Sequence, residues 1–174
     1  LNAEQMRTVK LDGGLVRRSG EVLIASQNRV MQYKNGKLVP YQPLDSLYGG
    51  RAPVFRVYET RSGALWLTGP DSLYRLHDGI LTNINAKYHL PAIGATSVTE
   101  DSAGAVWFAN FGEGLFRFRN DSLVNISPKQ GLFDYNAYTF LEDRFGYVWI
   151  SCNRGVYRVS KQDLDDVADG KKPM

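Results

Sequence analysis

The sequence predicts an all-β protein: a β-propeller of about four four-stranded antiparallel blades, followed by one short helix. Three observations carry this. One motif recurs four times. Gly146-Tyr-Val-Trp-Ile-Ser-Cys152 leads through a tight turn to Val156-Tyr-Arg-Val159, and Gly104-Ala-Val-Trp-Phe-Ala-Asn110 leads to Leu115-Phe-Arg-Phe118. Gly63-Ala-Leu-Trp-Leu-Thr-Gly69 leads to Leu73-Tyr-Arg-Leu76, and Gly20-Glu-Val-Leu-Ile-Ala-Ser26 to Val30-Met-Gln-Tyr33. The anchoring glycines are 43, 41 and 42 residues apart, the period of a four-stranded propeller blade. Each motif also holds at least four consecutive apolar residues, which marks a strand covered on both faces, as a blade between two neighbours is.

The elements run in order along the chain. Residues 1–14 are the least repetitive; Met6–Val9 reads as a short strand that completes another blade, and Asp12-Gly13-Gly14 as a turn. Repeats then run near 15–53, 54–94, 95–136 and 137–160. Their first strands are Leu15–Arg17, Phe55–Thr60, Thr96–Asp101 and Tyr138–Asp143, and the apolar run after each glycine is the second. The third strands are Val30–Tyr33, Leu73–Leu76, Leu115–Phe118 and Val156–Val159. Lys34-Asn-Gly36, His77-Asp-Gly79 and Arg119-Asn-Asp121 are hairpin turns, since Asn, Asp and Gly tolerate positive φ. Leu38–Tyr41, Leu81–Ile84 and Leu123–Ile126 are the fourth strands. The last repeat has none. Instead Ser160, with Asp163 three residues on, opens a helix over about 161–168 that Gly170 stops, and residues 161–170 lead out of the propeller.

Composition narrows the function. The 174 residues carry 43% hydrophobic and 22% charged side chains, as a soluble globular domain does. A net charge of +3 from 21 basic and 18 acidic residues, with no basic run, gives no footing for nucleic acid. No apolar stretch is long enough to insert in a membrane. The lone Cys152 excludes a disulfide framework and reads as a packed apolar residue. The chain begins at Leu1, as a processed form or an excised piece does. Neither His77 nor His89 has a cysteine or carboxylate at metal-ligand spacing, and no nucleophile, phosphate-loop or dinucleotide motif is present, so no cofactor is expected.

Trp66, Trp107 and Trp149 each fall three residues after their glycine, with Leu23 in that column of the first repeat. One fixed column in every repeat favours packing between blades over aromatic platforms for a ligand. Glu100-Asp101 and Glu142-Asp143, matched in part by Glu59-Thr60, precede the turn into the second strand. An Asp there bonds the turn's backbone N–H groups, which the repetition favours over acid–base chemistry or a cation site.

The parts that do not repeat are the loops. Turns between the second and third strands, and connections between blades, open on one face of an up-and-down blade. The turns are Ser26–Arg29, Gly69–Asp71, Asn110–Glu113 and Asn153-Arg154; the connections are Asp45–Pro53, Asn85–Pro91 and Lys129–Asn136. Variable loops on a rigid frame carry recognition. The candidates on the first two repeats are Arg29, Tyr48, Arg51, Tyr88 and His89. Those on the last two are Phe111, Glu113, Phe133, Tyr135, Asn136 and Arg154. Aromatic rings mixed with Arg and Asn suit a saccharide or other small polar ligand, or a protein surface.

The pattern Glu-Asp, two residues, Gly-x-Val-Trp-Ile and then Gly-Val-Tyr-Arg-Val resembles the two-component regulator propeller repeat. Residues 142–159 carry the fullest match. Residues 100–118 come next with one extra turn residue, residues 59–76 have Thr60 for the Asp, and residues 15–33 match loosely. Gly131-Leu132 resembles the Gly-Leu that opens these repeats. Ser160–Gly170 is similar to the segment after the last blade in bacterial sensors that continue into a smaller β-sandwich, a membrane helix and a histidine kinase or diguanylate cyclase output. The resemblance implies a periplasmic sensory module, not an enzyme, with the rest of a receptor chain as its partner. It also implies an arc of a propeller of seven or more blades, whose end flanks favour association, a homodimer included. The alternatives are a protein-interaction propeller without a small ligand, and a propeller lyase or hydrolase, which needs a histidine and a carboxylate converging on the central channel.

Overall fold

A computed structural model describes residues 13–26, 29–44, 54–91 and 93–172. The chain forms two compact units, Leu1–Gly94 and Ala95–Met174. In the first, β1 (Gly13–Val16), β2 (Val22–Ser26), β3 (Arg29–Lys34) and β4 (Lys37–Pro40) make one antiparallel meander, and β5 (Arg56–Glu59), β6 (Leu65–Thr68), β7 (Leu73–His77) and β8 (Ile80–Asn83) make another. A one-turn helix, α1 (Ile84–Lys87), comes after it. In the second unit β9 (Ser97–Glu100), β10 (Val106–Asn110), β11 (Gly114–Arg119) and β12 (Ser122–Ile126) form a third meander. A 3₁₀ turn at Pro128–Gln130 leads to a three-stranded sheet of β13 (Leu141–Glu142), β14 (Tyr147–Cys152) and β15 (Gly155–Ser160), and then to α2 (Lys161–Ala168). Asn35-Gly36, Asp78-Gly79 and Asn120-Asp121 all have positive φ, as the hairpin residues predict.

Several strand and turn assignments differ from the sequence reading. Gly13 and Gly14, expected in a turn, pair with Ala25 and Ile24 in β1, where a Cβ on Gly13 would lie 2.7 Å from Phe55 O. Ile84 leaves the fourth strand because the Asn83 side chain caps α1, accepting from Ala86 N at 3.0 Å. The 3₁₀ turn, not foreseen, is held by a capping box between Ser127 and Gln130. The expected strand Tyr138–Asp143 shrinks to Leu141–Glu142: Ser151 N donates to the Thr139 hydroxyl at 3.2 Å, so a side chain takes the place of a ladder carbonyl. Met6–Val9 lies outside the described residues.

The blades within each unit pack by one rule. The face carrying the third position after the anchoring glycine meets the opposite face of the next blade. In the first unit Leu23 and Ala25 pack with Val57, Leu65 and Leu67; in the second, Trp107 and Ala109 pack with Phe140, Val148 and Ile150. The Trp107 and Phe140 rings stack with centroids 4.7 Å apart. A polar latch repeats beside this core. The glutamate four residues before a blade's glycine accepts the backbone N–H two residues before the preceding blade's glycine: Arg18 N to Glu59 at 2.8 Å, and Ser102 N to Glu142 at 2.7 Å.

The Asp of the Glu-Asp pair bonds its turn, as expected. Asp101 accepts from Ala105 N at 2.8 Å, and Asp143 from Phe145 N and Tyr147 N at 2.8 and 3.0 Å. Each also accepts the indole N–H of its own blade, from Trp107 at 2.7 Å and from Trp149 at 2.8 Å. Asp and Trp are thus one device, closing the turn and satisfying a ring that would otherwise bury a bare donor.

Helix α2 occupies 161–168 as predicted. The Ser160 hydroxyl accepts from Asp163 N, and Gly170 lies just beyond with φ 69°. It buries Leu164, Val167 and Ala168 in the core of the second unit. Lys161 reaches Asp101 at 2.9 Å and also binds Asp165, while Arg117 binds Asp165 and Asp169. Burial alone would raise the Asp101 carboxyl, but hydrogen bonds from Lys161 and Trp107 hold it below the ordinary value. Burial likewise would lower Lys161, and Asp165 and Asp101 raise it instead.

The expectation that every tryptophan is buried between blades fails once. Trp66 and Trp107 are 1% and 0% exposed, whereas Trp149 is 39% exposed. Among the described residues of the second unit, the face of β14 that carries Trp149 has no following blade to cover it.

Candidate functional site

In the second unit the two kinds of loop do converge. Ala137 N donates to Asn110 O at 2.9 Å and Gly114 N to Tyr135 O at 2.6 Å, which ties the 131–138 connection to the β10–β11 turn. Gly114 has φ 78°, and a Cβ there would lie 2.5 Å from Ile126 O, so only glycine admits this approach. Asn110 accepts from Glu113 N at 3.1 Å and fixes the turn that presents Phe111. Phe111 is exposed and stacks on Tyr138 at 6.3 Å; the Tyr138 hydroxyl donates to Asn153 in the β14–β15 turn.

A second group lies across the same loops. The Arg154 guanidinium sits 4.2 Å from the Phe133 ring centroid, and Phe133 leans on Tyr157 at 5.1 Å. Arg154 N donates to the Cys152 sulfur, and Asn136 N to Asp134 at 2.9 Å, which shape the two turns. The Tyr157 hydroxyl is buried without a hydrogen-bond partner among the described residues. Its pKa is raised, first by burial and then by the nearby Cys152 and Asp134, so it stays a neutral donor. An unmet buried hydroxyl costs roughly 1–3 kcal/mol, which a polar group reaching it would recover.

Of the predicted residues, Phe111, Glu113, Phe133, Tyr135, Asn136 and Arg154 therefore lie on three loops that bond or stack on one another. Glu113 contributes its backbone: its carbonyl accepts from Asn125 at 2.7 Å. In the first unit Arg29 opens β3 and is exposed, Tyr88 is the C-cap of α1, and His89 is exposed at φ 52°. Tyr48 and Arg51 lie outside the described residues.

The sequence reading missed Tyr138, Asn153 and Tyr157 as members of the cluster, and Asn85. Asn85 is the linchpin of the first unit's connection: it accepts from Leu73 N at 2.8 Å and donates to Pro91 O and Ile93 O at 2.9 and 2.8 Å. Gly94 comes next with no room for a side chain, since a Cβ would fall 1.8 Å from Gly69 O. The second unit also has an open cavity of about 610 Å³ lined in part by Thr99, Phe140, Leu141, Trp149, Ser151 and Val156. It runs from Ser97 and Thr99 on β9 of the third blade past the 139–141 segment to Trp149, Ser151 and Val156 of the fourth.

Solved structures decide the fold. The extracellular domain of the proposed hybrid two component system BT4673 from B. thetaiotaomicron superposes with a TM-score of 0.66 at 16% identity, over 86% of this chain and 21% of its own. The fold is a β-propeller. The corresponding domain of BT3049 from the same organism gives 0.62 at 15% identity, over 84% and 20%. Virginiamycin B lyase from Staphylococcus aureus gives 0.60 at 16% identity, over 86% and 52%. This propeller chain thus spans about a fifth of the sensor domains and about half of the lyase. No protein-family model and no curated protein matches the sequence. Among the described residues, no helix is long and apolar enough to cross a membrane.

Proposed function

We propose that this chain is part of a ligand-sensing β-propeller in the extracytoplasmic, periplasmic portion of a bacterial transmembrane signalling receptor. The recognition surface is the loop cluster of the second unit, and its ligand is a saccharide or other small polar molecule. The segment performs no chemistry itself; occupancy biases the rest of the receptor chain, which carries the output. The observation that carries the reading is the convergence of Phe111, Phe133, Tyr138, Arg154 and Tyr157 from separate loops and a strand end, two stacked rings beside a guanidinium on a ring face. Stacked aromatics and a fixed cation suit the apolar faces and hydroxyl or carboxylate groups of sugars. Likeness to extracellular sensor domains supports the setting.

Saturation-transfer NMR with neutral oligosaccharides and oligogalacturonides tests this. The chain should bind a member of the panel, and Arg154→Ala and Phe133→Ala should each weaken it about tenfold, some 1.4 kcal/mol. Absence of binding across the panel, or binding unchanged in both variants, overturns the reading.

A further inference from the structure

Two donors in the loop cluster are left without an acceptor. One is the Arg154 guanidinium, which carries N–H donors and no acceptor. It lies over the Phe133 ring and, among the described residues, has no carboxylate partner. Arg17 and Arg117, by contrast, each hold two carboxylates. The acidic side chains on the neighbouring loops do not serve Arg154. Asp134 accepts from Asn136 N and Nδ2 at 2.9 and 3.2 Å, and Glu113 stands exposed on the β10–β11 turn. The other donor is the Tyr157 hydroxyl, buried and unmet. Phe133 joins the two, with the guanidinium 4.2 Å from its centroid and the Tyr157 ring 5.1 Å from it.

One ligand group answers both. A cationic donor and a neutral donor call for oxygens that accept and carry negative charge, and the planar guanidinium fork matches the two oxygens of a carboxylate. A sugar hydroxyl would return a bond about half as strong as the charge-assisted one. We propose that the loop site selects acidic saccharides, and that a uronate carboxylate is received by the Arg154 guanidinium and the Tyr157 hydroxyl. This deepens the sensing assignment made above and rests on it. Phe133, 49% exposed, turns aside to admit the group, a rotamer change open to an exposed ring. Asp134 and Glu113 place negative charge on the same loops, which the contact at Arg154 outweighs by direct hydrogen bonding. The unmet hydroxyl thereby acquires a reason to persist: it costs the free chain stability and is satisfied on binding.

Digalacturonate and its dimethyl ester, which has the same rings without the charge, test the proposal when each is titrated into the chain and followed by amide chemical shifts. The acid should bind at the loops at least about tenfold more tightly than the ester, a difference of some 1.4 kcal/mol. Arg154→Gln should bring the two within about twofold. Tyr157→Phe should weaken the acid about fivefold while its urea midpoint stays at or above that of the native chain, because the substitution deletes an unmet buried group. A merely structural tyrosine would lose stability instead. Equal affinity for acid and ester at the loops overturns the proposal and leaves the sensing assignment standing, and so does an acid preference that survives Arg154→Gln. Unchanged affinity in Tyr157→Phe overturns the role of its hydroxyl. Binding of neither sugar at the loops also overturns the proposal, and the sensing assignment then stands or falls on the wider oligosaccharide panel.

Discussion

Replacing Asp101 by Asn separates the buried Asp–Trp device from its exposed twin. The Asp101 side chain is fully buried and takes three donors: Ala105 N at 2.8 Å, Trp107 Nε1 at 2.7 Å and Lys161 Nζ at 2.9 Å. An amide keeps the shape and one acceptor, so the turn bond to Ala105 survives. Its NH₂ then faces two donors, an indole N–H and an ammonium, and neither can be accepted. Removing one partner of a buried ion pair costs about 3–5 kcal/mol. Lys161 keeps Asp165, which places the loss near the lower end, about 3 kcal/mol. Asp143→Asn removes the same indole bond at Trp149, which is 39% exposed. Water can replace that partner, so the cost should be well below that of Asp101→Asn. Urea unfolding of both variants measures the pair. Equal losses, or a loss at Asp101 below about 1 kcal/mol, would refute the view that burial by the next blade gives the device its weight.

The same packing sets two further outcomes. Trp107→Ala should cost about 3–5 kcal/mol, the range for a buried aromatic, and Trp149→Ala less than about 2 kcal/mol, measured by the shift in urea midpoint. Acid should destabilise the second unit. Asp169, held by Arg117 and Lys171, has its pKa lowered to about 2, and Asp101 is also below its ordinary value of 3.8. Both are depressed in the folded state, so their stabilisation is complete above the ordinary value and is lost as pH falls toward 2. Unfolding midpoints tracked from pH 5 to about 2 should drop across that window, and Asp169→Asn should flatten the lower part; a flat native profile would contradict the assignment.

Most of the frame was legible in the sequence because it is periodic. The glycine anchors, the apolar runs and the Asn-Gly and Asp-Gly turns fixed strands and hairpins, and Ser160 and Gly170 fixed the last helix. What was not legible came from side chains acting on the backbone at single places: Asn83 capping α1, Thr139 displacing a ladder bond, Ser127 closing a 3₁₀ turn. The Asp101–Trp107 bond was half visible: the Asp was read as closing its turn and the tryptophan as packing between blades, and nothing in the spacing joined the two. The latch of Glu142 onto Ser102 crosses 40 residues, and nothing local announces it. The loop candidates rested on position alone. Tyr138 and Tyr157 were overlooked because strand residues were assigned to packing, though both extend rings toward the loops.

Amide chemical-shift mapping of the chain, titrated with whichever oligosaccharide binds best, puts the recognition surface to its most direct test. Shifts confined to residues 111–113, 133–138 and 153–157, with the blade strands otherwise unmoved, are the predicted result. Shifts centred instead on Leu141, Trp149 and Val156, or an unperturbed spectrum at saturating sugar, would contradict the assignment of sensing to the loops.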